Sequence, residues 1–298
     1  MAKTKIEFVC RECGASHHQW VGQCLDCKEW NTLEEIVISQ TSSSKPEILK
    51  DLPASKVQNL SEITTQNKER LSTGLSELDR TLGGGLIDGS VVLIGGDPGI
   101  GKSTLILQAL AVINTTNTTL YVSGEESAEQ VSERAIRLEI KEDILFISET
   151  HLEKILKLSK DVQPKVIVID SIQTMVTDIS SSAPGSVSQV RDCAAQLTQY
   201  AKQTNTVLLL IGHVTKGGAL AGPRILEHMV DAVLYFEGDP GGRYRIIRAV
   251  KNRFGAVNEI SVFAMGEKGL QQISNPSSIF LSNQENPSSG SMVMVTRE

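Results

Sequence analysis

Nowhere in the 298 residues does an apolar run reach the roughly 20 residues that a membrane-spanning helix requires. The opening Met1-Ala2-Lys3-Thr4-Lys5 leads into no apolar signal segment, so a cytoplasmic protein without a membrane partner is expected. Excess positive charge is missing too. Against 35 Asp and Glu stand 29 Lys and Arg, a formal net charge of −6, which excludes a generally basic coat for nucleic acid. A motor that touches nucleic acid through a few loops remains open, because an acidic exterior can surround a basic channel. Cysteine is scarce beyond residue 27, where Cys193 stands alone in a helical pattern and reads as an ordinary buried thiol. With 40% hydrophobic and 21% charged residues, the chain has the composition of a soluble globular protein with one large core and a smaller module.

The other four cysteines crowd the beginning. Cys10 and Cys13, then Cys24 and Cys27, form two C-x₂-C knuckles. Each knuckle aims two thiolates at one point, and two knuckles complete the tetrahedron that Zn²⁺ prefers. Disulfides are the alternative, disfavoured in a reducing compartment. A segment this short has little core of its own, so the metal is expected to supply its stability. His17 and His18 read as surface residues, and Trp20 and Trp30 are expected to pack beside the metal.

The strongest motif is Gly96-Asp97-Pro98-Gly99-Ile100-Gly101-Lys102-Ser103, followed by Thr104. It lies between a strand pattern at 90–95 and a helix pattern at 102–114, the setting a phosphate-binding loop needs. Glycines let backbone N–H groups turn toward phosphate oxygens, and the helix N-terminus adds partial positive charge. Lys102 is expected to reach the β- and γ-phosphates of ATP, and the Ser103 hydroxyl to ligate Mg²⁺.

Further strands are expected at 118–123, 144–147, 165–170, 206–211, 231–236, 243–250 and 259–264, and helices near 127–139, 152–160 and 187–203. Strand–helix alternation with continuous apolar strands predicts an α/β core with a mostly parallel sheet and an antiparallel extension. The domains read as a zinc module over 1–38, a linker over 39–68, an ATPase core over 69–274 and a carboxy-terminal extension over 275–298. Val166-Ile167-Val168-Ile169-Asp170 delivers a carboxylate to the sheet edge, so Asp170 is expected opposite Ser103 at Mg²⁺. Glu125, at the end of the strand after the P-loop helix, is the candidate for activating water, with Glu126 the alternative. His213 ends another strand and is expected to sense the γ-phosphate. Two loops leave the same edge, 171–186 and 215–224. The second carries Lys216 and Arg224, and these, with Arg243 and Arg245, are candidate contacts to a nucleic-acid backbone.

Taken together, the cysteine knuckles with Trp30-Asn31-Thr32-Leu33, Ser72-Thr73-Gly74, Glu77-Leu78-Asp79, Leu82-Gly83-Gly84-Gly85, the P-loop, Ser123-Gly124-Glu125-Glu126-Ser127 and Lys251-Asn252-Arg253-Phe254-Gly255 resemble the bacterial RadA (Sms) family of RecA-like ATPases. That resemblance covers residues 6 to about 281. It implies a ring, usually a hexamer, that translocates on single-stranded DNA to drive branch migration or unwinding in recombination and repair, together with recombinase or replication proteins. It also implies a Lon-protease-like domain beginning where this sequence ends. The K-x-R spacing of Lys251 and Arg253 matches a feature of replicative helicase rings, so both are expected to grip a phosphate held by a neighbouring subunit. An ATP-gated scaffold and a strand-exchange recombinase without motor activity are the competing readings.

Overall fold

The computed structural model describes residues 5–10, 16–26, 28–38, 70–180, 182–213, 226–238, 242–257 and 259–275. Cys13, Cys27, Lys216, Arg224, the 39–68 segment and the extension beyond 275 therefore lie outside the described residues.

The amino-terminal region forms a small antiparallel sheet in the order β2-β1-β3, from β1 (Lys5–Cys10), β2 (Ser16–His17) and β3 (Leu33–Ile38). Among its described side chains, Cys10, Cys24 and Leu33 are buried. The tryptophans lie at the surface. Trp20 and Trp30 are 57% and 67% exposed, and both rings approach Gly22, where a methyl group would meet them at 3.7–3.8 Å. Together they flank the glycine turn.

The larger region is a nine-stranded sheet in the order β12-β11-β10-β9-β4-β8-β7-β5-β6. Its strands are β4 (Val91–Gly96), β5 (Thr119–Ser123), β6 (Leu145–Ser148), β7 (Val166–Asp170), β8 (Val207–His213), β9 (Ala232–Glu237), β10 (Tyr244–Asn252), β11 (Ile260–Gly266) and β12 (Gly269–Gln272). Strands β4 to β9 pair in parallel, and β10 to β12 continue antiparallel. Helices α1 (Ser76–Thr81), α2 (Lys102–Asn114), α3 (Ala128–Arg137), α4 (Leu152–Val162) and α5 (Val187–Thr204) complete the described core.

Pleating sends successive side chains to opposite faces, and both faces of this sheet are covered. On β7, Val166 and Val168 join one apolar cluster while Ile167 and Ile169 join the other. That explains why the strand is apolar throughout instead of alternating. Each such side chain, fully buried, contributes about 1.5–3 kcal/mol. Chain order reverses around β4, which lies between β8 and β9. The carboxyl end of β4 is thus a switch point, where open α/β sheets form ligand crevices.

Candidate active site

Register brings the functional strand ends together. Gly96 on β4 pairs with His213 on β8, and Ser123 on β5 pairs with Asp170 on β7. The loop between β4 and α2 turns through left-handed glycines. Gly101, the residue before α2, has φ 113°, and an added methyl group would meet Met265 Cε at 2.8 Å. Gly99 has φ 74°, with no atom within 4 Å of where its Cβ would lie, so its backbone borders open space. Ile100 anchors the middle of the loop, fully buried.

Lys102 is only 4% exposed. Its ammonium donates to the carbonyls of Gly96 at 2.8 Å and Asp97 at 2.9 Å, and lies 3.4 Å from His213 Nδ1. Burial lowers its pKa to about 8, against the attraction of Asp170, Glu125 and Asp97. Asp170 is 6% exposed, and burial raises its pKa while hydrogen bonds from Ser103 and the Tyr121 hydroxyl pull it down. A serine hydroxyl bonded to an aspartate beside a phosphate-binding loop is a hard-oxygen pair, the donor chemistry that Mg²⁺ takes.

Glu125 and Glu126 separate cleanly. Arg134 holds Glu126 through both oxygens, at 2.5 and 2.7 Å. Glu125 instead turns toward the P-loop. Its Oε1 accepts from the Ser171 hydroxyl, and His213 Nε2 lies 3.2 and 3.3 Å from its two oxygens. The contact with His213 is the largest cause holding the Glu125 pKa below its ordinary value, followed by Ser171 and Lys102 against the opposing effect of burial. A capping box between Ser127 and Gln130 starts α3 directly behind this pair and fixes the turn that carries it.

The expected cations scatter. Arg245 is 3% exposed, and its Nε donates to Ile100 O at 2.9 Å while Nη1 donates to Gly242 O at 2.6 Å and Tyr244 O at 2.9 Å. It braces the P-loop from β10, and burial removes it from any nucleic-acid surface. Arg243 stays exposed, its guanidinium 5.8 Å from the centroid of the Tyr244 ring. Lys251 donates to the carbonyls of Glu227 at 2.5 Å and Val230 at 2.8 Å. Burial, and then Arg253, lower its pKa. The Arg253 side chain is 58% exposed and pairs with Asp231 at 3.2 Å. Ser171, Tyr121 and Arg134 were missed by sequence reading, for no spacing rule marks a lone Ser, Tyr or Arg.

In the amino-terminal module, Cys10 and Cys24 are 1% exposed. His17 is not the surface residue expected: its side chain is 10% exposed, with Nε2 3.5 Å from Cys24 Sγ and 3.7 Å from Asp26 Oδ2. Buried sulfur donors with an imidazole beside them suit a borderline-soft ion such as Zn²⁺.

A family profile described as an AAA domain matches residues 58–219, and one described as a rubredoxin metal binding domain matches residues 8–35. The whole chain is similar to proteins described as DNA repair protein RadA. It is 54% identical over 299 residues to that of Pseudomonas aeruginosa, 51% over 304 residues to that of Haemophilus influenzae and 50% over 306 residues to that of Escherichia coli. It spans 66% of the length of each of these relatives. With a mostly parallel P-loop ATPase domain behind an amino-terminal zinc ribbon, the chain belongs to the RadA family of DNA repair proteins.

Proposed function

We propose that this chain hydrolyses ATP at the carboxyl edge of β4, β5, β7 and β8, and that a ring of such chains, a hexamer, couples hydrolysis to movement along single-stranded DNA in recombination and repair. The observation that carries this reading is the convergence of Lys102, Ser103, Glu125, Asp170 and His213 at four neighbouring strand ends. Lys102 would leave the loop carbonyls for the β- and γ-phosphates, and the backbone of 96–104 would cradle them. Ser103 and Asp170 would hold Mg²⁺, which neutralises charge developing on the phosphates. Glu125 would accept a proton from the attacking water, since Glu126 is committed to Arg134. His213, in contact with both Lys102 and Glu125, would register the γ-phosphate.

Arg253 is the better candidate for a cation offered to a neighbour, because Lys251 already serves two carbonyls of its own chain. Cys10, Cys13, Cys24 and Cys27 would hold one structural Zn²⁺. Recombinase or replication proteins are the expected partners, in the cytoplasm.

The test is ATP turnover with and without single-stranded DNA, for the wild-type chain and for Lys102→Ala. Stimulation by the strand, lost in Lys102→Ala, supports the reading. Turnover indifferent to DNA returns the ATP-gated scaffold. For Arg253, Lys102→Ala and Arg253→Ala chains, each nearly inactive alone, are mixed. Regained turnover supports action between subunits, and no recovery in rings shown to exchange subunits contradicts it.

A further inference from the structure

Asp231, the residue before β9, carries a buried carboxylate, its side chain 5% exposed. Oδ2 accepts from the backbone N–H of Val91 at 3.0 Å and from the Lys202 ammonium. Oδ1 accepts from Arg253 Nη1 at 3.2 Å, and the Arg253 N–H donates to Asp231 O at 3.0 Å. Lys202 alone balances this carboxylate. Lys251 lies near enough that Arg253, after burial, lowers its pKa, with Asp231 and Glu227 acting in the opposite sense. Among the described residues, then, three cations face two carboxylates, and the excess of positive charge suits an anion from outside.

The backbone on either side of Arg253 is fixed. Strand β10 shifts its register against β9 between Ala249 and Lys251, a bulge that leaves Val250 44% exposed and re-aims the residues that follow. Asn252 Nδ2 donates to Thr81 O at 3.3 Å, and its Oδ1 accepts from the Phe254 N–H at 2.9 Å. Arg70 Nη2 donates to Phe254 O at 2.8 Å, and a methyl group added to Gly255 would stand 2.8 Å from the Gly83 Cα. The Arg253 side chain is 58% exposed, and among the described residues Asp231 alone holds its guanidinium, through one of three nitrogens. The ATP site of its own chain is out of reach. Asn252 pairs with Ala232 and Ala232 with Val92, so Arg253 lies beside the start of β4. The P-loop leaves the other end of that strand, roughly 17 Å away at about 3.3 Å per residue.

We propose that Asp231 is a positioning residue for Arg253, holding the guanidinium by Nη1 so that Nε and Nη2 face a phosphate carried by a second copy of this chain. The proposal rests on the reading of Arg253 as the cation offered to a neighbour. A free arginine loses rotamer freedom when it grips a phosphate, whereas a tethered one has given it up beforehand. The two nitrogens left over keep the planar fork that phosphate oxygens take. Asp231 itself touches no nucleotide.

The test uses the full chain and places Asp231→Asn on one side or the other of a mixed interface. Lys102→Ala chains can supply only Arg253, and Arg253→Ala chains can supply only the ATP site, so turnover in their mixture reads the interface between them. With Asp231→Asn added to the Lys102→Ala chain, that turnover falls about threefold to tenfold, the size of a partly exposed hydrogen bond between charged groups. Added to the Arg253→Ala chain, which has no guanidinium to position, the same substitution leaves turnover within about twofold, although Val91 and Lys202 lose the same carboxylate. Equal loss from both placements is a merely structural lesion and overturns the proposal. So does turnover that the first placement fails to lower. Asp231→Glu, which keeps the charge beside Lys202 but moves it by one methylene, is read by the same asymmetry and serves where Asp231→Asn does not assemble. No turnover in the mixture without any change at Asp231, in rings shown to exchange subunits, overturns the reading of Arg253 instead, and so the two failures are distinguishable.

Discussion

The amino-terminal module and the P-loop domain solve the problem of staying folded in opposite ways. In the P-loop domain, two apolar clusters cover both faces of one sheet, and many of their Leu, Ile and Val side chains are less than 2% exposed. In the module, the described buried side chains amount to Cys10, Cys24 and Leu33, while its two tryptophans and Leu25 face outward. One region is held by apolar burial on both faces of its sheet. The other leaves its two tryptophans exposed and, among its described side chains, buries the thiols of Cys10 and Cys24, which is the economy of a metal-organised fold.

The most drastic way to break this comparison is to remove the metal. Structural Zn²⁺ in small modules carries about 10–16 kcal/mol of apparent binding energy, all of it folding energy. A strong chelator is therefore expected to abolish the module's amide-exchange protection and to leave that of β4, β7 and β8 unchanged. Cys24→Ala should do the same while sparing ATP binding, read by titration of a fluorescent ATP analogue. Loss of protection in both regions together would show that they are not independent.

A cavity in the apolar core comes next. Leu110, fully buried on α2, should cost about 2–5 kcal/mol as Leu110→Ala, measured as a shift in the denaturant midpoint of the P-loop domain alone. Arg245 sharpens the contrast differently. Arg245→Leu keeps the volume but leaves the carbonyls of Ile100, Gly242 and Tyr244 without their donor, at about 1.5–3 kcal/mol. Because Ile100 belongs to the P-loop, the KM for ATP should rise several-fold, whereas DNA affinity should not change. The smallest effect belongs to the module's surface. Trp20→Ala and Trp30→Ala should shift stability by no more than about 0.5 kcal/mol, for exposed side chains away from caps and cores rarely do more. A larger loss would mean that the indole pair over Gly22 holds the module together after all.

Much of this architecture is legible in the residues. Continuous apolar runs such as Val166 to Ile169 announce doubly covered strands, and strands β4 to β11 lie within about two residues of expectation. The misses have local causes. Strand β12 is the four residues Gly269–Gln272, too short and too polar to show a period, and α1 is barely longer. Arg245 could be assigned to one face of its strand, but not to the loop 145 residues earlier that it braces. The exposure of Trp20 and Trp30 was not readable, because the glycine turn at Gly22 that brings the two rings together leaves no spacing rule in the sequence. The P-loop glycines, Asp170 and the two C-x₂-C knuckles stand out in the sequence because the chemistry expected of them demands fixed spacings. Ser171 does not, because its partner is set by the sheet register and not by the chain.

What most directly tests the account is single-turnover hydrolysis of ATP by Glu125→Gln, with nucleotide binding measured on the same sample. The expected result is ATP bound with near wild-type affinity and the chemical step slowed by about 10²–10⁴. Glu125→Gln that binds ATP and cleaves it at the wild-type rate would contradict the assignment, together with everything built on the clamp of Ser171 and His213.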